Sequence, residues 1–196
     1  MTMQLKIGID VDGVLYDFVS AFRRLAQQTF GKDFPTFSSD WDFSNWGLTS
    51  DEYKSLWTRV RGSVDWFLDN EKPYSFAVES LTLLKNHELY FITTRCPTQG
   101  ETVLRQTQRQ LSMLGVEFPT VVVRNDKGLV VQGLSLDFYV DDYVENLKRV
   151  QECSPSTRLF LVNQTYNNEI LVPTSWTRVA SLKEFAERID NVAVAD

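Results

Sequence analysis

This 196-residue chain has a single histidine and only two, isolated, cysteines. His87 lies in "KNHEL", a helix-to-strand turn, where a surface position is expected rather than a catalytic one. Cys96 and Cys153 have neither metal-binding nor redox spacing and read as free thiols of a reducing compartment. Long apolar runs are missing too: none approaches the roughly 18 residues of a membrane span. Strand-like sequence from Leu5 leaves no room for a signal peptide, so a cytoplasmic protein is expected and the sequon at Asn163 carries no weight. Positive charge is scarce, with 20 Lys and Arg against 26 Asp and Glu, a net charge of −6. That balance argues against a broad nucleic-acid surface but permits a small basic site, so an anionic substrate must be met by a few well-placed donors. A homodimer stays open. Repeats and low-complexity tracts are absent.

What is present is a 43% hydrophobic composition, which suits one compact unit with an insertion. Short apolar runs at 6–9, 89–92, 121–123, 138–140 and 159–162 read as strands. Helical periodicity at 76–84, 102–114, 144–150 and 182–189 alternates with the later strands. That alternation predicts an α/β fold: a Rossmann-like three-layer core whose parallel sheet is covered on both faces. Residues 19–75 break the rhythm with a helix at 19–30, an aromatic turn-rich stretch, and a second helix opening at the capping signature Thr49-Ser50-Asp51-Glu52. A small α-helical unit of 19–75, inserted after the first strand into a core of 1–18 and 76–196, is the expected organisation. Trp57, within the second helix, reads as part of a small second core. For Trp41, Phe43 and Trp46, among Asp, Ser, Asn and Gly, core packing and binding-site lining are equal alternatives.

In open α/β sheets ligands bind beyond the carboxyl ends of the strands. Here those ends carry Asp10 and Asp12, then Thr93-Thr94-Arg95, then Asn125-Asp126-Lys127, then Asp141-Asp142. Alternate residues of an extended segment share a face, so Asp10 and Asp12 can address one ligand while Val11 packs inward. Gly13 lets the chain turn sharply beside it. Two carboxylates about 4 Å apart repel by roughly 4 kcal/mol at an effective dielectric of 20. Two more acids worsen this unless a cation sits among them, and all-oxygen ligands favour a hard ion, Mg²⁺ where phosphate also binds. Thr93, Thr94 and Lys127 supply the donors and positive charge that a phosphate group requires.

The segments "IDVDGVLYDF", "YFITTR", "NDK" and "YVDDYVEN" resemble, in order, the four motifs of the haloacid dehalogenase-like hydrolase superfamily. The likeness to its 5′(3′)-deoxyribonucleotidase branch runs on through "WFLDNEKPYSFAVESL" and "LFLVNQTYNNEILVPTSWTRV" and covers most of the chain. The resemblance implies a phosphomonoesterase in which Asp10 attacks phosphorus, and Asp12 protonates the leaving alkoxide and then activates water. It implies Mg²⁺ held by Asp10, the Asp12 carbonyl and Asp142, with Asp141 one step behind. Thr93 and Lys127 would bind the transferring phosphoryl group, aided by Gly13 and Thr94. Dehalogenases lack an acid at the position of Asp12, since a halide leaves without a proton, so Asp12 points to phosphoryl transfer.

By the same resemblance the inserted helical unit is a cap over the leaving group. Phe18 matches a base-contacting phenylalanine, although hinge packing would equally place an aromatic there, and Trp66 or Phe67 falls where the branch has another aromatic. Trp41 and Trp46 join the candidates on loop composition alone. Arg95 departs from the branch pattern and could either clamp phosphate or pair with an acid. The expected substrate is a nucleoside monophosphate, most simply a pyrimidine deoxynucleotide. The rival readings are sugar phosphates, nucleic-acid 3′-phosphate ends, or an inactive phosphate-binding module.

Overall fold

The computed structural model describes residues 4–195. Six parallel strands form one sheet in the order β3-β2-β1-β4-β5-β6. They are β1 (Lys6–Ile9), β2 (Glu88–Thr93), β3 (Thr120–Val123), β4 (Phe138–Asp141), β5 (Arg158–Val162) and β6 (Thr177–Val179). The central strand pairs Ile9 with Phe91 on one side and Val140 on the other. This register brings the residues that follow β1, β2 and β4 to one rim.

The period-2 alternation of the strands separates two cores. Ile7, Ile9, Phe91, Val140 and Val162 pack against Leu81 and Leu84 of α4 (Ala77–Leu84), Leu111 of α5 (Val103–Met113) and Phe185 and Ile189 of α8 (Leu182–Ala195). Ile92, Tyr139, Leu159 and Leu161 face Val131 of α6 (Lys127–Leu134) and Leu147 and Val150 of α7 (Val144–Cys153). Each fully buried Leu, Ile or Phe contributes about 1.5–3 kcal/mol relative to exposure, and both faces of the sheet gain it.

Between β1 and β2 lie α1 (Phe18–Phe30), α2 (Ser50–Gly62) and α3 (Trp66–Asn70), with a 3-10 turn at Ser44–Trp46. Asp17 caps α1 by accepting from the Ser20 amide, and Thr49 with Glu52 closes the capping box that the sequence announced for α2. These elements share an aromatic core of Phe22, Phe34, Phe43, Trp46, Leu56, Val60, Trp66 and Phe67.

Elements α3, α6 and β6 were not expected, and α3, with five residues, is too short for a periodic signal. The helix α6, "KGLVVQGL", carries two glycines and two valines, residues of low helix propensity. It forms because Asp126 caps it and because Gly128 lets it lie against α7, where an added Cβ would come within 2.6 Å of the Arg149 carbonyl oxygen. The edge strand β6 has three residues, too few for a periodic signal. His87 is half-buried and its Nδ1 accepts from the Leu5 amide, a structural role. Both cysteines are free. Among the described residues no helix is long and apolar enough to cross a membrane.

Candidate active site

The chain leaves the sheet at Asp10, whose amide still donates to the Val140 carbonyl, so the first acid is fixed by the last rung of the β1–β4 ladder. Its Oδ1 accepts from the Val11 amide at 2.7 Å and from Lys127 Nζ at 2.7 Å. Lys127 opens α6 and is buried, and its Nζ also reaches Asp141 Oδ2 at 2.9 Å. Asp141 is fully engaged: the Tyr143 amide, Asn146 Nδ2 and the Tyr139 hydroxyl donate to it as well. Asp142 differs. Its Oδ2 accepts from the Tyr166 hydroxyl, while its buried Oδ1 has no partner among the described residues. One oxygen from each of Asp10, Asp141 and Asp142 lies within 4.8 Å of the others.

The electrostatics follow from this crowding. Burial, which Lys127 partly offsets and Asp141 and Asp12 reinforce, pushes the Asp10 carboxyl up to about 7. Burial, followed by the charges of Asp10 and Asp141, holds the Asp142 carboxyl well above the usual range. Burial alone would lower the Lys127 ammonium, yet the two carboxylates beside it more than reverse this and raise it. Three buried acids around one ammonium are short of positive charge.

Gly13 has φ +79°, and a Cβ there would overlap Asp142 Oδ2 and stand 2.7 Å from the Tyr166 hydroxyl. The turn thus needs glycine for both backbone conformation and close approach. Gly13→Ala should displace Asp142 or Tyr166, lowering stability by about 1–3 kcal/mol and kcat/KM by roughly 100-fold. Denaturant unfolding and steady-state kinetics check this, and unchanged kinetics would show that the Asp142 position does not matter.

Asp12 faces a different cation. Its Oδ1 accepts from Arg95 Nη2 at 2.7 Å, and Arg95 Nε lies 3.0 Å from both carboxylate oxygens. The buried Thr93 hydroxyl donates to Asp12 Oδ2 at 3.3 Å. Of the two readings of Arg95, the structure gives pairing with acids, since Glu71 accepts from the same guanidinium.

A cavity of about 590 Å³ opens over these groups. Asp10, Asp12, Gly13, Thr94, Arg95, Lys127 and Asp142 line it, together with the aromatic rings of Phe18, Trp41, Phe43, Trp57 and Phe67. Phe18 stacks on Trp57 with ring centroids 5.8 Å apart. Trp41 is partly exposed and stacks on Tyr143 at 4.5 Å. Trp46 and Trp66 are not among the lining residues. Trp46 packs against Phe43 and donates its indole N–H to the Phe37 carbonyl, and Trp66 is buried beside Phe67. Trp57, read as core, also lines the cavity. Tyr166 and Glu71 were not singled out in the sequence. Tyr166 follows β5, so the same strand-end rule points to it, whereas nothing local marks Glu71.

A parallel Rossmann-like sheet with paired acids, a lysine and a second acidic pair at its carboxyl rim defines a haloacid dehalogenase-type phosphatase, a phosphoric monoester hydrolase. Within that class the chain belongs to the 5′ nucleotidase, deoxy (Pyrimidine), cytosolic type C protein family, whose model matches residues 4–194. A relative from Oceanobacillus iheyensis, provisionally named a nucleotidase, is 28% identical over 192 residues, spanning 93% of this chain and 98% of its own. Another from Bacillus cereus, named in the same way, is 25% identical over 194 residues, spanning 91% and 97%. Among solved structures, a HAD-superfamily hydrolase, subfamily IA, from Geobacter sulfurreducens shares the fold, with TM-score 0.58 and 15% identity over 94% of this chain and 96% of its own.

Proposed function

We propose that the protein is a Mg²⁺-dependent nucleotidase that hydrolyses nucleoside monophosphates, pyrimidine deoxynucleotides first among them, through a phosphoaspartyl intermediate. The observation that carries this reading is one cavity lined both by the charged groups of the rim and by aromatic rings. Its volume of about 590 Å³ falls within the 300–1,000 Å³ usual for small-ligand sites. The family and both relatives are named for nucleotidases.

The donor set fits a hard divalent ion. Asp142, whose Oδ1 has no partner among the described residues, forms an all-oxygen cluster with Asp10 and Asp141 in which one lysine faces three acids. Asp10, Asp142 and the Asp12 carbonyl would hold the ion, and Asp141, whose oxygens are all engaged, would stand behind them. Bound there, Mg²⁺ supplies charge neutralisation for the phosphoryl oxygens.

The chain's own groups account for the steps. Asp10 Oδ1 is tied to Val11 and Lys127, which leaves Oδ2 to attack phosphorus as the bond to the leaving oxygen breaks. Asp12 gives its proton to that oxygen. The resulting carboxylate then takes a proton from water, whose oxygen attacks phosphorus and releases Asp10. Lys127 stabilises the charge passing between Asp10 and the phosphoryl group, and the Thr93–Thr94 tip with Gly13 completes the cradle. In this reading residues 1–18 and 76–196 form the catalytic core. Residues 19–75 act as the cap, and Phe18, Trp57 and Phe67 offer ring faces to a base.

Phosphate release from deoxynucleotides, ribonucleotides and sugar phosphates, each with Mg²⁺, tests the proposal. Nucleoside monophosphates should exceed sugar phosphates by at least about tenfold in kcat/KM, since one base–aromatic contact is worth roughly 1–3 kcal/mol. EDTA should abolish the activity and Mg²⁺ restore it. A flat substrate profile would sink the nucleotidase assignment, and activity indifferent to EDTA would sink the metal.

A further inference from the structure

Arg95 is buried, yet it belongs to the cavity rim, and its chemistry is used up before any substrate arrives. A guanidinium has five N–H donors in a fixed plane. Here Nε and one Nη2 hydrogen go to Asp12, the second Nη2 hydrogen goes to Glu71, and the two on Nη1 go to Thr107 Oγ1 at 3.0 Å and Gln110 Oε1 at 2.5 Å. None is left for phosphate. The Phe67 ring lies 4.7 Å from its Cζ, closing one side of the plane.

The partners of Arg95 are themselves pinned. Thr107 donates to the Val103 carbonyl within α5, and Gln110 Nε2 donates to the Phe67 carbonyl. Both are buried polar residues, as is Gln106 on the same helix. Glu71 ends α3 and is buried, so it holds Arg95 from the inserted segment while Thr107 and Gln110 hold it from α5. Asp12 alone among these groups is partly open, its side chain 18% exposed. Apart from those from Arg95, its carboxylate accepts only the long bond from Thr93 among the described residues, and the Glu71 carboxyl lies beside it.

We propose that Arg95, locked by Glu71, Thr107 and Gln110, is a positioning residue for Asp12 that fixes the carboxyl group in the orientation needed to protonate the leaving oxygen. Nη2 and Nε together hold the carboxyl plane, with the shortest bond on Oδ1. Phosphate binding is left to Lys127 and the threonines. The inference rests on the proposed role of Asp12 as proton donor.

Leaving-group dependence tests it in the full-length enzyme. Ring-substituted phenyl phosphates vary the need for a proton at nearly constant shape: phenol, with a pKa of about 10, needs one, and nitrophenol leaves without it. Because kcat/KM reports steps up to release of the phenol, later hydrolysis of the phosphoenzyme does not mask the effect. Arg95→Gln should lower kcat/KM for phenyl phosphate by about 100-fold, within the range for general acid catalysis, and for 4-nitrophenyl phosphate by less than about fivefold. Arg95→Lys should recover part of the loss. Equal losses on both esters, or a rise in KM and in the inhibition constant of inorganic phosphate at unchanged kcat, would overturn the proposal.

Should Arg95→Gln not fold, Glu71→Gln decides, since it preserves an amide acceptor for Nη2 but replaces the carboxyl group that holds the guanidinium from α3. It should show the same leaving-group bias at about tenfold, and no bias would overturn the proposal. Asp12→Asn separates the two layers. If that variant lacks the bias, the proposed role of Asp12 fails. If it shows the bias and the Arg95 and Glu71 variants do not, only the positioning role fails.

Discussion

Asp10→Asn should abolish turnover, with kcat falling by at least about 10⁴-fold, while the protein still folds. An amide replaces the carboxylate almost isosterically and retains an oxygen to accept from Val11 and Lys127, so the geometry of the rim survives. Lost is the nucleophilic oxygen, and removal of a covalent nucleophile costs several orders of magnitude whatever positioning remains. Stability should move the other way. Asp10 is one of three buried acids around one ammonium, its carboxyl raised to about 7 chiefly by burial. Neutralising it relieves a like-charge contact, and the metal-free variant should unfold at no lower temperature than the parent. Rapid acid quench followed by intact-mass measurement provides the direct check. The parent should carry one phosphoryl group during turnover and the variant none. Retained activity in the variant would exclude Asp10 as nucleophile.

The rim was legible because the rule behind it is local. An apolar strand that ends in Asp-x-Asp-Gly places two carboxylates on one face regardless of what surrounds it, and the register of β1 with β2 and β4 then aligns the other tips. The sheet was legible for a similar reason: strands covered on both faces must be short and apolar. What escaped depends on contacts far apart in sequence. Glu71 meets Arg95 only after α3 packs on α5, and "DNEKP" carries no mark of that partner. The two readings of Arg95 could not be separated until its five donors had partners. Trp41 and Trp46 share one loop and one composition, yet the first stacks on Tyr143 at the cavity while the second turns into the aromatic core. Composition locates aromatics near a site, and tertiary packing decides which of them reach it. The helix α6 was missed because a cap at Asp126 and a close approach at Gly128 outweigh poor local propensity.

Lys127→Met should be the single change most damaging to stability, and it should cost most of the activity as well. The ammonium lies 2.7 Å from Asp10 Oδ1 and 2.9 Å from Asp141 Oδ2, in a site with almost no solvent access. Methionine matches the volume of the stem but leaves both carboxylates without their cation. Removing one partner of a buried pair costs about 3–5 kcal/mol, because an uncompensated charge stays behind. The pH dependence follows from the direction of the shifts. Lys127 is raised, so its contribution is complete below the unfolded lysine value and is lost only in strongly alkaline solution. Asp10 behaves oppositely to an ordinary salt-bridged carboxylate: burial already raises it, and loss of Lys127 removes the influence that holds it down. The folded variant therefore binds protons more tightly than its unfolded chain, and its stability rises as pH falls through neutrality. In EDTA, the stability gap between parent and variant should be widest near pH 8 and narrow markedly toward pH 5, as urea titrations at the two values would show. Activity with Mg²⁺ should fall by about 10³-fold, the scale of a lost charge-stabilising donor. A gap that is small and the same at both pH values would mean that Lys127 is not the counter-charge of this cluster.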